Sequence, residues 1–248
     1  WVADALKEAK NKDLKAINLM EALGDSVKEE EVVEGMQEEK GFLEHSHEES
    51  SKENYKNAQK ENQGKSKEEP EYDEHIWLSL RNAEIMVKNI EKVIEQFDLN
   101  NAKVYQTNAK NYIKKLSQLD KQYTKTIQNA KHKAILFGDR FPFRYMADDY
   151  NLKYYAAFVG CSAETMAGFE TVTFLAKKAD ELKLPVILTI ENSDGRIAEA
   201  IKSNTKKKNQ KILAMNSLQS VTTQQLSDGI TYLQVMQENL SVLSEALN

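Results

Sequence analysis

Cys161 is the single cysteine among 248 residues, so no internal disulfide can form. One thiol leaves the redox compartment open, and its ordinary reading is a small buried residue. Long hydrophobic runs are missing as well. No window approaches the roughly 18 uninterrupted apolar residues that a membrane-spanning helix needs. A basic excess is also absent: 39 acidic residues outweigh 34 basic ones, giving a formal net charge of -5 at pH 7. That balance argues against nucleic acid, whose phosphates need a clustered basic face. The run Lys206-Lys207-Lys208 reads as a solvated loop rather than a phosphate site. The nine glycines form no Gly-rich phosphate loop. No basic-then-apolar leader precedes Trp1, so a signal peptide is expected to have been removed or to lie upstream.

Hydrophobic residues make up 40% and charged residues 29%, with a mean hydropathy of -0.64. That is ordinary for a globular chain carrying one unusually polar stretch. The stretch runs from about residue 25 to residue 73. Between Asp25 and His75 lie seventeen acidic and seven basic residues with few apolar anchors. Such a segment buries too little surface to offset its ordering entropy, and a mobile loop is expected. Within it, Glu44-His45-Ser46-His47-Glu48-Glu49 sets two imidazoles among carboxylates. His45 and His47 can hold zinc weakly, as an accessory to a tighter site; a merely solvated acidic loop is the plain alternative.

Before the loop, residues 2–10 read as a short helix and residues 14–19 as a strand, an opening βα fragment. After it, apolar spacing predicts helices over 79–97 and 101–130. A helix of about 30 residues spans ~45 Å, enough for a strut between lobes. Beyond residue 130, apolar runs at 134–137, 154–158, 186–190 and 212–215 read as buried strands. Helical patterns at about 142–150, 167–183, 194–204 and 223–247 separate or follow them. This alternation implies βαβ units and a parallel sheet covered by helices. Ligands of such sheets bind beyond the carboxyl ends of the strands. There the sequence places Asp139, Glu164, Glu191 and Asn216, all oxygen donors. Glu164 also reads as a cap of the following helix. His75, in Asp73-Glu74-His75-Ile76-Trp77, opens the first long helix. Asp73 can orient its ring, although a capping or packing histidine is the plain reading. No nucleophile–base pair is found, and His132 between Lys131 and Lys133 reads as solvated, so an enzyme is not expected.

Four blocks together resemble the zinc- and manganese-binding lipoproteins of bacterial ABC importers. They are Asp73 to Trp77; Phe137-Gly138-Asp139-Arg140-Phe141-Pro142-Phe143-Arg144-Tyr145 followed by Asp148 to Leu152; Cys161-Ser162-Ala163-Glu164-Thr165; and Ser217-Leu218-Gln219-Ser220 before a closing long helix. An acidic, histidine-bearing loop just before the first block is similar to the zinc members. The resemblance covers nearly the whole chain. It implies an α/β protein of two Rossmann-like lobes with parallel sheets joined by a long rigid helix, with metal held between them. On that reading residues 1–98 are a partial first lobe, 99–130 the linking helix and 131–248 the second lobe. His75 matches the family's histidine in its Asp-x-His-x-Trp segment. The third ligand position is occupied by Arg140, so Asp139 would have to substitute, since a guanidinium cannot ligate a cation. The fourth aligns with Asn216, a weaker neutral donor, and Met166 stands where an acidic residue is common.

The expected function is capture of a divalent metal outside the cytoplasm, zinc favoured and manganese possible, for an ABC permease. The expected metal residues are His75, Asp139, Asn216 and Glu164, and any membrane contact is through a lipid anchor outside this chain. The alternative is a surface interaction or adhesion protein on the same fold with a degenerate metal site. The family's first metal histidine lies upstream of Trp1, so several dozen residues are expected to be missing. The 248-residue chain is then expected to be less stable, and more prone to associate, than a version extended upstream. Equal melting temperatures for the two would refute that.

Overall fold

The computed structural model describes residues 2–11, 13–37, 71–163 and 166–248. The four apolar runs form four strands: β1 (Ala134–Phe141), β2 (Lys153–Val159), β3 (Val186–Ile190) and β4 (Lys211–Met215). They make one parallel sheet in the order β2-β1-β3-β4. Period-two alternation divides the strand side chains between the two faces. Ile135, Phe137 and Leu188 join one buried cluster, and Leu136, Ile187 and Phe158 the other. With both faces covered, β1 and β3 read as continuous apolar runs rather than alternating ones.

One face is covered by α6 (Phe169–Glu181) and α7 (Arg196–Asn204), through Leu175, Ala179, Ala198 and Ile201. Leu116, Leu119, Tyr123 and Ile127 of α4 (Ala102–Asn129) join the cluster on the other face, with Leu240 and Leu243 of α9 (Tyr232–Ala246). The Tyr123 hydroxyl donates to the Met236 carbonyl at 2.6 Å, which ties α4 to α9. Helix α3 (Leu80–Phe97) lies along α4. Ser79 caps it by accepting from the Asn82 N–H at 3.0 Å, and its hydroxyl donates to Asp149 at 2.6 Å. Asp149 closes α5 (Arg144–Asp149), so the α3–α4 pair is anchored to the sheet through this cap. Ile90, Ile94, Phe97, Leu99 and Val104, towards the turn joining α3 and α4, are exposed. Among the described residues no helix is long and apolar enough to cross a membrane.

Gly138 sits where α7 meets β1. A Cβ there would lie 2.5 Å from Ala198 Cα and 2.8 Å from Ala198 N, a clash with backbone that no rotamer relieves. Gly138→Ala is expected to cost ~1–3 kcal/mol. At roughly 2–4 °C per kcal/mol, thermal unfolding should show the drop directly. An unchanged midpoint would mean that α7 shifts freely.

Several expectations need correction. Residues 14–18 form no strand among the described residues; the next element after α1 (Val2–Glu8) is α2 (Leu19–Leu23). The reason is Asn18, whose side chain accepts from the Met20 and Glu21 N–H groups and so starts a helix. The closing helix is two: α8 (Thr223–Ser227) and α9, parted at Gly229, whose φ of 74° ends the first. Thr231 caps the second by accepting from the Gln234 N–H. Strand β1 runs four residues past residue 137, so Asp139 and Arg140 lie within it. Pairing slips between Phe137 and Arg140, placing Asp139 at a bulge, a device that re-aims a side chain. Cys161 is exposed, not buried. Gly168 is the N-cap residue of α6, and Glu164, the expected cap, lies outside the described residues.

The two ends of the acidic stretch are described. Glu29 and Tyr72 form an antiparallel bridge, Glu30 N donates to Glu71 O at 2.8 Å, and Asp73 N donates to Lys28 O at 2.9 Å. The Tyr145 hydroxyl bonds both sides, accepting from Lys28 N and donating to Asp73 O. This pairing delivers the chain to His75. Residues 38–70, with His45 and His47, lie outside the described residues.

Candidate metal centre

His75 is fully buried. Asp73 Oδ1 accepts from its backbone N–H at 2.9 Å and lies 2.8 Å from its Nδ1. A carboxylate can only accept, so Nδ1 carries the hydrogen and Nε2 presents its lone pair. This is the carboxylate–histidine pairing that fixes tautomer and ring direction for a metal. The ring fits against Gly160 at the end of β2. A Cβ at Gly160 would stand 2.9 Å from His75 Cε1 and 3.1 Å from Nδ1, so only glycine leaves the imidazole its place. Trp77 packs at 5.4 Å between ring centroids, and Tyr232 holds it by donating to its carbonyl at 2.7 Å.

The Nε2 lone pair meets Gln219. Its Nε2 lies 2.5 Å from His75 Nε2 and donates to it. Gln219 belongs to the loop after β4 and also lines a cavity of about 360 Å³. That cavity lies at the carboxyl-terminal rim, against Asp139, Arg140, Glu191 and Asp194. The structure therefore brings His75 and the rim together through Gln219, a residue to which sequence reasoning gave no donor role. Its signal was present in the Ser217-to-Ser220 block, but the donor was assigned to Asn216.

Asn216 is turned away from that task. Its Oδ1 accepts from Leu218 N at 2.8 Å, an Asx turn within its own loop, and its backbone pairs with the Asn239 side chain. Asp139 lines the cavity, and its Oδ1 accepts from Arg140 N at 2.8 Å. Glu191 gives both oxygens to Ser217. Glu164 lies outside the described residues. Arg140 stands in the cavity wall, with Nη1 donating to Ser162 O at 3.2 Å and Nε 4.0 Å from Asp139 Oδ1. Its fixed positive charge opposes a divalent cation at the rim. The Cys161 thiol is held above its ordinary value by partial desolvation and then by Glu30, so it is no ready thiolate donor. Among the described residues, no three His, Cys, Asp or Glu side chains gather closely enough to hold a metal.

A parallel α/β sheet with a carboxylate-oriented imidazole at its rim defines a class, the metal-binding solute-binding proteins, which are not enzymes. The family described as zinc-uptake complex component A (ZnuA), periplasmic, matches residues 1–246, and the chain belongs to that family. The high-affinity zinc uptake system protein ZnuA of Bacillus subtilis is 30% identical over 175 residues, 71% of this chain and 53% of that protein. The chain thus spans about half the length of the curated relatives it matches. Among solved structures, the Zn(II)-bound ZnuA-like domain of Streptococcus pneumoniae AdcA aligns with a TM-score of 0.59 at 28% identity. The match covers 71% of this chain and 64% of that one. The laminin-binding adhesin Lmb of Streptococcus agalactiae aligns with a TM-score of 0.61 at 25% identity, covering 72% and 64%.

Proposed function

We propose that this chain captures a divalent metal outside the cytoplasm, zinc in preference to manganese, and delivers it to an ABC permease. The observation that carries the reading is the Asp73–His75 pair, which turns one imidazole lone pair to Gln219, itself a wall of the rim cavity. Imidazole beside oxygen donors suits zinc. His75 is the primary ligand. Asp139 supplies a rim oxygen, and Glu164 and the His45–His47 run are secondary candidates; Asn216 could join them only by giving up its bond from Leu218 N. The division into a first lobe to residue 98, a linking helix at 99–130 and a second lobe from 131 belongs to the same proposal, as does a lipid anchor outside the chain. Titration calorimetry with zinc and with manganese tests it. One tight site per chain, preferring zinc, is expected; no binding tighter than micromolar would defeat the reading.

Arg140 favours a second reading. A cation built into the rim weakens a metal site, and a fold neighbour is named a laminin-binding adhesin. On that reading the chain is a surface adhesin with a vestigial site. Weak binding that disappears when residues 44–49 are deleted, and not with His75→Ala, would select it.

A further inference from the structure

Glu191 ends β3 at the rim, where a carboxylate invites a ligand role, yet its hydrogen bonds give it another. Its Oε2 accepts from the backbone N–H of Ser217 and its Oε1 from the Ser217 hydroxyl, both at 2.6 Å. Ser217 is fully buried, so releasing Glu191 to a cation would strand a buried N–H and a buried hydroxyl. The same serine is gripped from its other side, where the Trp77 indole N–H donates to the Ser217 carbonyl at 2.9 Å. Asn239 of α9 holds Asn216 through both its amide nitrogen and its oxygen, each at 2.8 Å. Between these fixed points and Gln219 stands Leu218, with φ at 59°. A bulky side chain is uncommon in the left-handed region and persists there only when its surroundings over-determine it. The Asn216 Oδ1 bond to Leu218 N supplies the last restraint. The outcome is a chain turn that ends with the Gln219 amide on His75 Nε2.

We propose that Glu191 is a positioning residue of the metal centre: by clamping Ser217 it sets the loop that places Gln219 against His75, and it does not itself ligate the cargo. The inference rests on the reading of His75 as the metal ligand for its effect on affinity, but its structural half is independent of metal. Three elements meet at Asn216 and Ser217: the end of β3 through Glu191 and the His75 segment through Trp77, both on Ser217, and α9 through Asn239 on Asn216. Removing the clamp frees the turn to leave the left-handed region and carries Gln219 away.

The test uses the full chain and has two arms. In metal-free protein, the 15N resonance of His75 Nε2 reports whether Gln219 donates to it. Glu191→Ala is expected to move that resonance in the same direction as Gln219→Ala. Ser217→Ala, which keeps the backbone bond, should move it less. In the second arm, zinc affinity is measured by competition with a chromophoric chelator. Glu191→Ala is expected to shift the affinity in the same direction as Gln219→Ala, by up to the roughly 10–100-fold of an outer-shell partner. Glu191→Gln retains an oxygen for the Ser217 N–H and offers an amide donor to its hydroxyl, without the charge, so it should stay close to the wild type. An equal shift in the two Glu191 variants, absent in Gln219→Ala, would make Glu191 a ligand and overturn the proposal. An unmoved His75 resonance in Glu191→Ala and Ser217→Ala would overturn it as well. If the wild-type chain binds no zinc, the transport reading fails, and the resonance arm alone decides on positioning.

Discussion

His75→Ala is expected to abolish tight zinc binding, with a loss larger than the roughly 10–100-fold attached to outer-shell partners. The imidazole is the only histidine donor that the structure brings to the rim among the described residues, and it is aimed rather than free. Asp73→Asn should fall between the variant and the wild type. An amide can still accept from Nδ1–H, but without charge it orients the ring and raises its basicity less. Calorimetric zinc titrations of the three proteins give the order directly. If Asp73→Asn matches His75→Ala, Asp73 is a ligand rather than an orienting partner. If neither changes affinity, the metal sits elsewhere.

Gln219→Glu is expected to tighten zinc binding on the order of 100-fold. The amide nitrogen now beside His75 Nε2 would become a carboxylate oxygen, within reach of a cation bound there. A unit charge acting on a divalent ion at ~4 Å is worth on the order of 8 kcal/mol at an effective dielectric constant of about 20. Desolvating the carboxylate takes back several kcal/mol. A remainder of about 2.7 kcal/mol corresponds to the stated gain. Chelator competition reads it. An unchanged affinity would place the cargo away from the Gln219–His75 contact, and a decrease would mean that the neutral amide is itself the better donor.

Both predictions concern a contact that was half legible. Asp73 and His75 are two residues apart, and their pairing follows from local spacing, so it could be anticipated from the chain alone. Gln219 is separated from His75 by 144 residues. Counting outward from the end of a strand favours the first polar residue, Asn216. The structure reverses this because Asn216 spends its oxygen on the Leu218 N–H. That turn consumes the near donor and presents the far one. Glu191 shows the same limit. A carboxylate at a strand end reads as a ligand until the buried Ser217 that occupies both its oxygens is seen.

The helices divide along similar lines. Amphipathic spacing placed α3 and α4 to within about a residue at each end, since a long stripe of apolar positions has one period. The residue 14–18 segment failed because a short apolar run has no period to distinguish it, and a single capping asparagine decided its fate. The break between α8 and α9 carried its own sign, an Asp228-Gly229 pair inside a helical pattern.

By itself the sequence determined the α/β class, the four strands, the long helices and the Asp73–His75 pair, because each depends on residues adjacent in the chain or repeating at a fixed period. Tertiary structure alone decided that Asp139 sits on a bulge, that Arg140 walls the cavity, that Glu191 clamps Ser217, and that Gln219 meets the imidazole. Those facts come from strand register and loop closure, which bring distant residues within hydrogen-bonding distance and are fixed by the packing of the whole sheet rather than by any local pattern.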